Sequence, residues 1–139
     1  MTGHIDPTRD QFAAMMKLPH DGPIHMLNLI RLNEKAAYDD GREATGAEAY
    51  AAYGRESGPI FKGVGGEIVW SGDPACMLIG PDGERWDVAF IAAYPNAAAF
   101  AAMVKNPDYQ AIVFHRQAAV KDSRLIRMHP RKPGAGFGE

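Results

Sequence analysis

Residues 24–32 read Ile-His-Met-Leu-Asn-Leu-Ile-Arg-Leu, and both alternating sets of this run are largely apolar. Successive side chains of a strand point to opposite faces. Ile24, Met26 and Ile30 therefore share one face, and Leu27 and Leu29 share the other. A strand that is apolar on both sides sits centrally in a sheet and is covered twice. Residues 86–94 repeat the pattern, with Trp86, Val88, Phe90 and Tyr94 alternating with Ala89, Ile91 and Ala93. These two runs predict the central pair of strands.

Working outward, a helix is expected from about Gly46, capped by Thr45, with Ala47, Tyr50, Gly54 and Phe61 on one stripe. Gly58-Pro59 is expected to interrupt or kink it, and Gly65-Gly66 to end it. Short strands are predicted over 67–71 and 76–79, with Pro81-Asp82-Gly83 as a turn. Asn96 caps an alanine-rich helix that turns Ala97, Phe100, Met103 and Val104 inward. Asn106-Pro107-Asp108 opens a further helical piece, which carries Tyr109, Ile112, Val113 and Val120 and runs to about Lys121. Residues 124–128 form the last strand. Residues 1–23 read as an N-terminal extension with one short helix over 8–18, lying outside the main fold. Residues 130–139, rich in proline and glycine, read as a mobile tail.

The main elements fall in the order β-α-β-β-α-β, the split βαβ pattern of an α+β, ferredoxin-like sandwich with an antiparallel sheet over residues 24–129. To it are added the N-terminal helix and a split second helix. Helices cover only one face of such a sheet. The double-sided apolarity of the two central strands then requires a second cover, and no segment of the chain is left to supply it. An exposed apolar sheet face exceeds the few hundred Å2 that a monomer shows. The expected cover is a two-fold partner, sheet against sheet, in a homodimer.

Composition narrows the functional classes. The chain has 139 residues, enough for one domain, and a hydrophobic share of 46% suits a globular one. Lys plus Arg number 15 against 17 Asp plus Glu, and no basic block offers a grip on a phosphate backbone, so nucleic acid is disfavoured. The longest apolar run, Ala97–Val104, is eight residues, short of the ~20 that span a bilayer. The first residues lack the basic and apolar regions of a signal peptide. The lone Cys76 excludes an internal disulfide and fits a reducing compartment, so the expected location is the cytoplasm.

An ordered set of motifs carries a family likeness. Gly65-Gly66 precedes a strand; the 86–94 run ends in Tyr-Pro-Asn; an alanine-rich helix follows; Asn-Pro-Asp-Tyr-Gln opens the last helix. From Ile24 to His129 this resembles the uncharacterised bacterial family called domain of unknown function 1330, placed among the dimeric α+β barrel proteins. The resemblance implies a ferredoxin-like protomer, a dimer whose sheets enclose a barrel, and a ligand cavity between sheet and helices. It implies no settled activity. The first thirty or so residues and the Asp39-Asp40-Gly41 loop are extra to the short family pattern.

Polar residues that interrupt apolar elements are the candidates for a pocket. Asn28 and Arg31 do so on the first strand; a buried amide must find a partner, in a ligand or in a neighbouring loop. Arg31, near the strand end, also suits a surface ion pair. Asp87 is a candidate base or orienting carboxylate, or a solvated residue at a strand start. His115 is the candidate acid or base, because imidazole titrates near neutrality; a packed helix-flank histidine is the alternative. Arg116 can hold a carboxylate or phosphate with its fork, or tie to a nearby acid. Tyr50, Tyr53, Trp70 and Trp86 can wall a flat apolar site or simply fill core. His4, His20, His25, His115 and His129 show no metal-ligand spacing, and no cofactor motif is present.

These features fit a small-molecule-handling protein. One form is a cofactor-independent enzyme acting on an aromatic or polyketide-like compound, as several dimeric α+β barrel proteins are. The resemblance to oxygen-using members is loose, resting on Asn28 and Trp86, with His115 later in the chain than that pattern wants. The others are a non-catalytic metabolite binder and a dimerisation module without ligand.

Overall fold

A computed structural model describes residues 3–19, 21–134 and 136–138. Its elements are α1 (Arg9–Met16), β1 (Ile24–Leu32), α2 (Gly46–Gly63), β2 (Glu67–Gly72), β3 (Val88–Tyr94), α3 (Ala97–Lys105), α4 (Pro107–Ile112), α5 (Phe114–Ala119) and β4 (Val120–Met128). The strands form one four-stranded sheet in the order β2-β3-β1-β4, each neighbouring pair antiparallel. This is the ferredoxin-like α+β arrangement, with β1 and β3 at its centre as their two apolar faces require.

Register sorts the side chains. Ile24 pairs with Tyr94, Met26 with Ala92 and Asn28 with Phe90, so these residues share one face. Ile24, Met26, Ala92 and Tyr94 join Phe100, Met103 and Tyr109 in a buried cluster under the helices. A second cluster, around Ile30, Ala49, Ala119 and Val120, seals the other end of the sheet. On the opposite face Leu27 stands between Ile91 and Ile126, with Trp70 beyond Ile91. Trp70 is 52% exposed and Ile126 48%, and no element among the described residues covers them.

Helix starts follow their capping chemistry. The Thr45 hydroxyl accepts from the Glu48 N–H at 3.0 Å while Glu48 returns to the Thr45 N–H at 2.8 Å. Asn96 accepts from the Ala99 N–H, and Asn106 from the Asp108 N–H, each at 2.8 Å. Gly65, with φ +86, makes the left-handed step after α2 that glycine takes without strain.

Several expectations are corrected. Residues 76–79 form no strand; Leu78 and Ile79 are 88% and 90% exposed on the loop between β2 and β3. Trp86 and Asp87 precede β3, which starts at Val88. α2 continues through Pro59 rather than breaking there. The second helical region divides at Asn106 as expected but again at Val113, and the last strand begins at Val120, four residues before the expected start at Arg124. The N-terminal helix is not outside the fold. Phe12, Met15 and Met16 pack on the main cluster, and the Arg127 guanidinium donates to the Met15 carbonyl at 2.6 Å.

Candidate functional site

Between the helix-facing side of the sheet and the helices lies an open cavity of about 1870 Å3, larger than the ~300–1,000 Å3 of common ligand pockets. Its floor is Phe90, Asn28 and Leu125, which follow one another across β3, β1 and β4. Tyr50 and Tyr53 of α2 and Tyr109 of α4 stand along one wall, and Arg116 of α5 reaches in from the end. The N-terminal segment, from His4 to Phe12, forms the remaining wall.

The polar groups of this cavity are unequally satisfied. The Asn28 amide N–H donates to the Met26 carbonyl at 3.1 Å, while its Oδ1 accepts nothing from the described residues. The Tyr50 hydroxyl likewise has no hydrogen-bond partner among the described residues. Burial pushes its phenol well above the usual range, with Tyr53 adding to the shift and Arg116 opposing it, so Tyr50 enters the cavity as a neutral donor. The Tyr53 and Tyr109 hydroxyls bond each other. Arg116 donates to the Ile5 carbonyl and, at 3.4 Å, to Ser123 Oγ, which in turn donates to the His4 carbonyl at 2.6 Å. The N-terminal wall is thus tied to α5 and β4 through its own backbone.

Of the residues singled out in the sequence, Asn28, Tyr50, Tyr53 and Arg116 come together here. Arg31, Trp70, Trp86 and Asp87 do not. Arg31 points to the opposite face and donates to the Gly83 carbonyl at 3.3 Å. Asp87 is exposed, and its carboxylate accepts from the Leu32 N–H at 2.8 Å, extending the β1 ladder by one rung. Trp86 lies under the Arg124 guanidinium, 5.2 Å from its ring centre, and Trp70 is open to solvent. His20 lies outside the described residues.

His115 is buried, 6% exposed, on the side of α5 away from the cavity lining. Its Nδ1 lies 2.6 Å from the Tyr38 hydroxyl and its Nε2 lies 2.8 Å from Glu56 Oε2. Phe114 stacks on its ring at 4.1 Å between centres. A smaller cleft of about 450 Å3 opens beside Tyr38 and Phe114, with Asp39, Asp40 and Gln117 on its rim. Sequence reasoning missed Tyr38, Glu56 and Tyr109. Tyr38 sat in a polar loop and Glu56 on an exposed helix face, far from His115 in the chain. The cap at Asn106, which aims the first turn of α4, was the one available signal for Tyr109.

Among the described residues, no helix is long and apolar enough to cross a membrane. No curated protein matches the chain. The methylated RPA0582 protein is 61% identical, with 97% of this chain and 100% of that chain covered at a TM-score of 0.93. RPA0582 itself, a protein of unknown function from Rhodopseudomonas palustris, is 60% identical, with 95% and 100% covered at 0.91. A NIPSNAP-like domain protein from Burkholderia xenovorans shares the fold at 19% identity, with 84% and 92% covered and a TM-score of 0.54. So does SnoaB, a cofactor-independent oxygenase from Streptomyces nogalater, at 14% identity, with 85% and 99% covered and a TM-score of 0.52. The model of the family described as domain of unknown function (DUF1330) matches residues 42–128, and the chain belongs to that family.

Proposed function

We propose that the cavity between the sheet and the helices binds a flat, largely apolar small molecule carrying hydroxyl or carbonyl groups, of the aromatic or polyketide type. What supports this reading is one observation: Asn28 Oδ1 and the Tyr50 hydroxyl face an apolar cavity without hydrogen-bond partners among the described residues. A ligand that meets both groups replaces the water that each can otherwise hold, and two directed hydrogen bonds in a largely apolar surround fix its orientation. Asn28 accepts from a ligand hydroxyl, Tyr50 donates to a ligand carbonyl, and Phe90 and Leu125 supply the apolar floor. Arg116 suits an anionic substituent at the cavity's end.

Titration with 1,4-dihydroxyanthraquinone, followed by calorimetry, tests it. Binding is expected, with Tyr50→Phe and Asn28→Leu each weakening it about fivefold, the loss of one hydrogen bond of roughly 1 kcal/mol. Absence of binding to this and to 2-naphthol, or affinity unchanged in both variants, overturns it.

Non-catalytic binding is the second reading. It is favoured by His115 lying outside the lining with both ring nitrogens engaged, which leaves Asn28, Tyr50 and Arg116 as recognition groups. Oxygen uptake or product formation with the bound probe separates a cofactor-independent enzyme from a binder. In either reading the protein works as a homodimer through the sheet face bearing Leu27, Ile91 and Ile126, and in the cytoplasm, where the exposed thiol of Cys76 stays reduced.

A further inference from the structure

Glu56, His115 and Tyr38 form a continuous chain of hydrogen bonds on the outer side of the helices. A carboxylate only accepts, so the imidazole presents its Nε2–H to Glu56, 2.8 Å away. In the neutral ring Nδ1 is then the acceptor, and the Tyr38 hydroxyl, 2.6 Å away, is placed to donate to it. This is the order of groups that activates a hydroxyl: a base within hydrogen-bond reach, itself oriented by a third group. His115 is fixed by Phe114 on its face and by Tyr38 edge-on, with 84° between the Tyr38 and His115 rings. The Arg42 guanidinium lies 4.4 Å from the centre of the Tyr38 ring, held there by Asp40. A cation over the ring face is attracted by its π electrons and holds the phenol in place.

A merely packed histidine needs one partner for its N–H. Here the ring joins a carboxylate that is 47% exposed to a phenol at the edge of a cleft of about 450 Å3. We propose that this cleft is a second site, separate from the cavity, in which Tyr38 is a nucleophile activated by His115 and Glu56 toward a small acyl donor. Asp39 on the rim, beside the Asp40–Arg42 pair, favours an uncharged or cationic donor over an anionic one. In the transfer step a bond forms between Tyr38 Oη and the acyl carbon as the bond to the leaving group breaks. The Tyr38 proton passes to His115 Nδ1 and from there to the leaving group. The imidazolium between these two events is held by the Glu56 carboxylate. Water then attacks the acyl carbon, giving a proton to His115 Nδ1; the bond to Tyr38 Oη breaks, the carboxylic acid leaves, and His115 returns the proton to the phenol.

N-acetylimidazole is the probe, because its transfer to a tyrosine releases only imidazole. The chain has five tyrosines, and peptide mass spectrometry follows each separately. Acetylation of Tyr38 is expected to outrun that of free N-acetyltyrosinamide by on the order of 10²-fold, the scale of a positioned general base. Tyr38→Phe should remove the fast adduct. His115→Gln and Glu56→Gln should bring Tyr38 down to the rate of the free amide or below. Purely structural hydrogen bonding predicts the reverse order, since a half-buried phenol reacts more slowly than a free one. Tyr38 labelled no faster than the free amide in the intact protein overturns the proposal, as does fast labelling that survives Glu56→Gln. That variant carries the test if His115→Gln fails to fold.

Discussion

The Tyr53 and Tyr109 hydroxyls lie 2.9 Å apart and join α2 to α4 along the wall of the cavity. Tyr109 is 9% exposed, and burial raises its phenol well above the ordinary range, with Tyr53 contributing next. Tyr109 therefore keeps its proton at neutral pH and remains a partner in this bond. Tyr53→Phe removes one partner and leaves the other hydroxyl buried. A loss of about 1 kcal/mol is expected, which differential scanning calorimetry should read as roughly 4 °C in Tm for a domain of this size. An unchanged Tm would mean that water replaces the lost hydroxyl.

Leu27 stands between Ile91 and Ile126 in the middle of the uncovered sheet face. Sedimentation at micromolar concentration should show a dimer for the natural chain and a monomer for Leu27→Asp. The substituted side chain points away from the helix-covered core, so circular dichroism should remain that of a folded chain. A natural chain that sediments as a monomer contradicts the proposed partner.

Asp122 titrates where the N-terminal segment is anchored. Burial alone would raise its carboxyl, but hydrogen bonds from the His4 N–H, Arg124 and the Ser123 N–H outweigh that and hold it below the ordinary 3.8. The folded state therefore prefers the carboxylate. Its stabilisation is present above the unfolded carboxyl value and fades as pH falls through the lower folded one. Thermal melts from pH 7 to pH 2 should show Asp122→Asn less stable at neutral pH, with the gap to the natural chain closing at the acid end. A gap constant with pH would assign the effect to packing.

Two glycines should respond in opposite directions to alanine. A Cβ at Gly66 meets the Phe61 carbonyl at 2.7 Å and its ring closer still, whereas a Cβ at Gly54 meets nothing within 4 Å. Gly66→Ala is expected to cost about 1–3 kcal/mol, the scale of a forced repacking. Gly54→Ala, inside α2, should gain about 0.5–1 kcal/mol. Urea denaturation midpoints decide both, and a stabilised Gly66→Ala would mean that the turn after α2 relaxes freely.

The architecture was legible wherever local chemistry and burial agree. Residues 24–32 and 88–94 are largely apolar on both faces; one side meets the helices, and the other carries Leu27 and Ile91 on the face proposed for a partner. Thr45, Asn96 and Asn106 cap the helices that they announce. Legibility failed where long-range contacts decide. Residues 120–123, Val-Lys-Asp-Ser, look too polar for a strand, but Asp122 accepts from the His4 N–H and Ser123 donates to the His4 carbonyl. Residues 76–79 look like a strand, yet they find no neighbouring edge and stay in a loop. Within the candidate cavity Asn28, Tyr50, Tyr53 and Arg116 stood out as polar or aromatic interruptions of apolar elements. The partners of His115 did not, because Tyr38 and Glu56 reach it only through tertiary packing.

The anchoring of the N-terminal wall sets a timetable for the molecule. The hydrogen bonds that His4 donates to Asp122 and accepts from Ser123 join residues 118 and 119 positions apart, and the central strand β1 waits for β4, the last strand of the sheet. Contacts of such large sequence separation close late and slow the folding of small domains. During synthesis the cavity cannot be complete until Met128 has left the ribosome. A nascent chain truncated within α5 should hold helices but no ligand, so acquisition of ligand affinity would report that the whole sheet has closed.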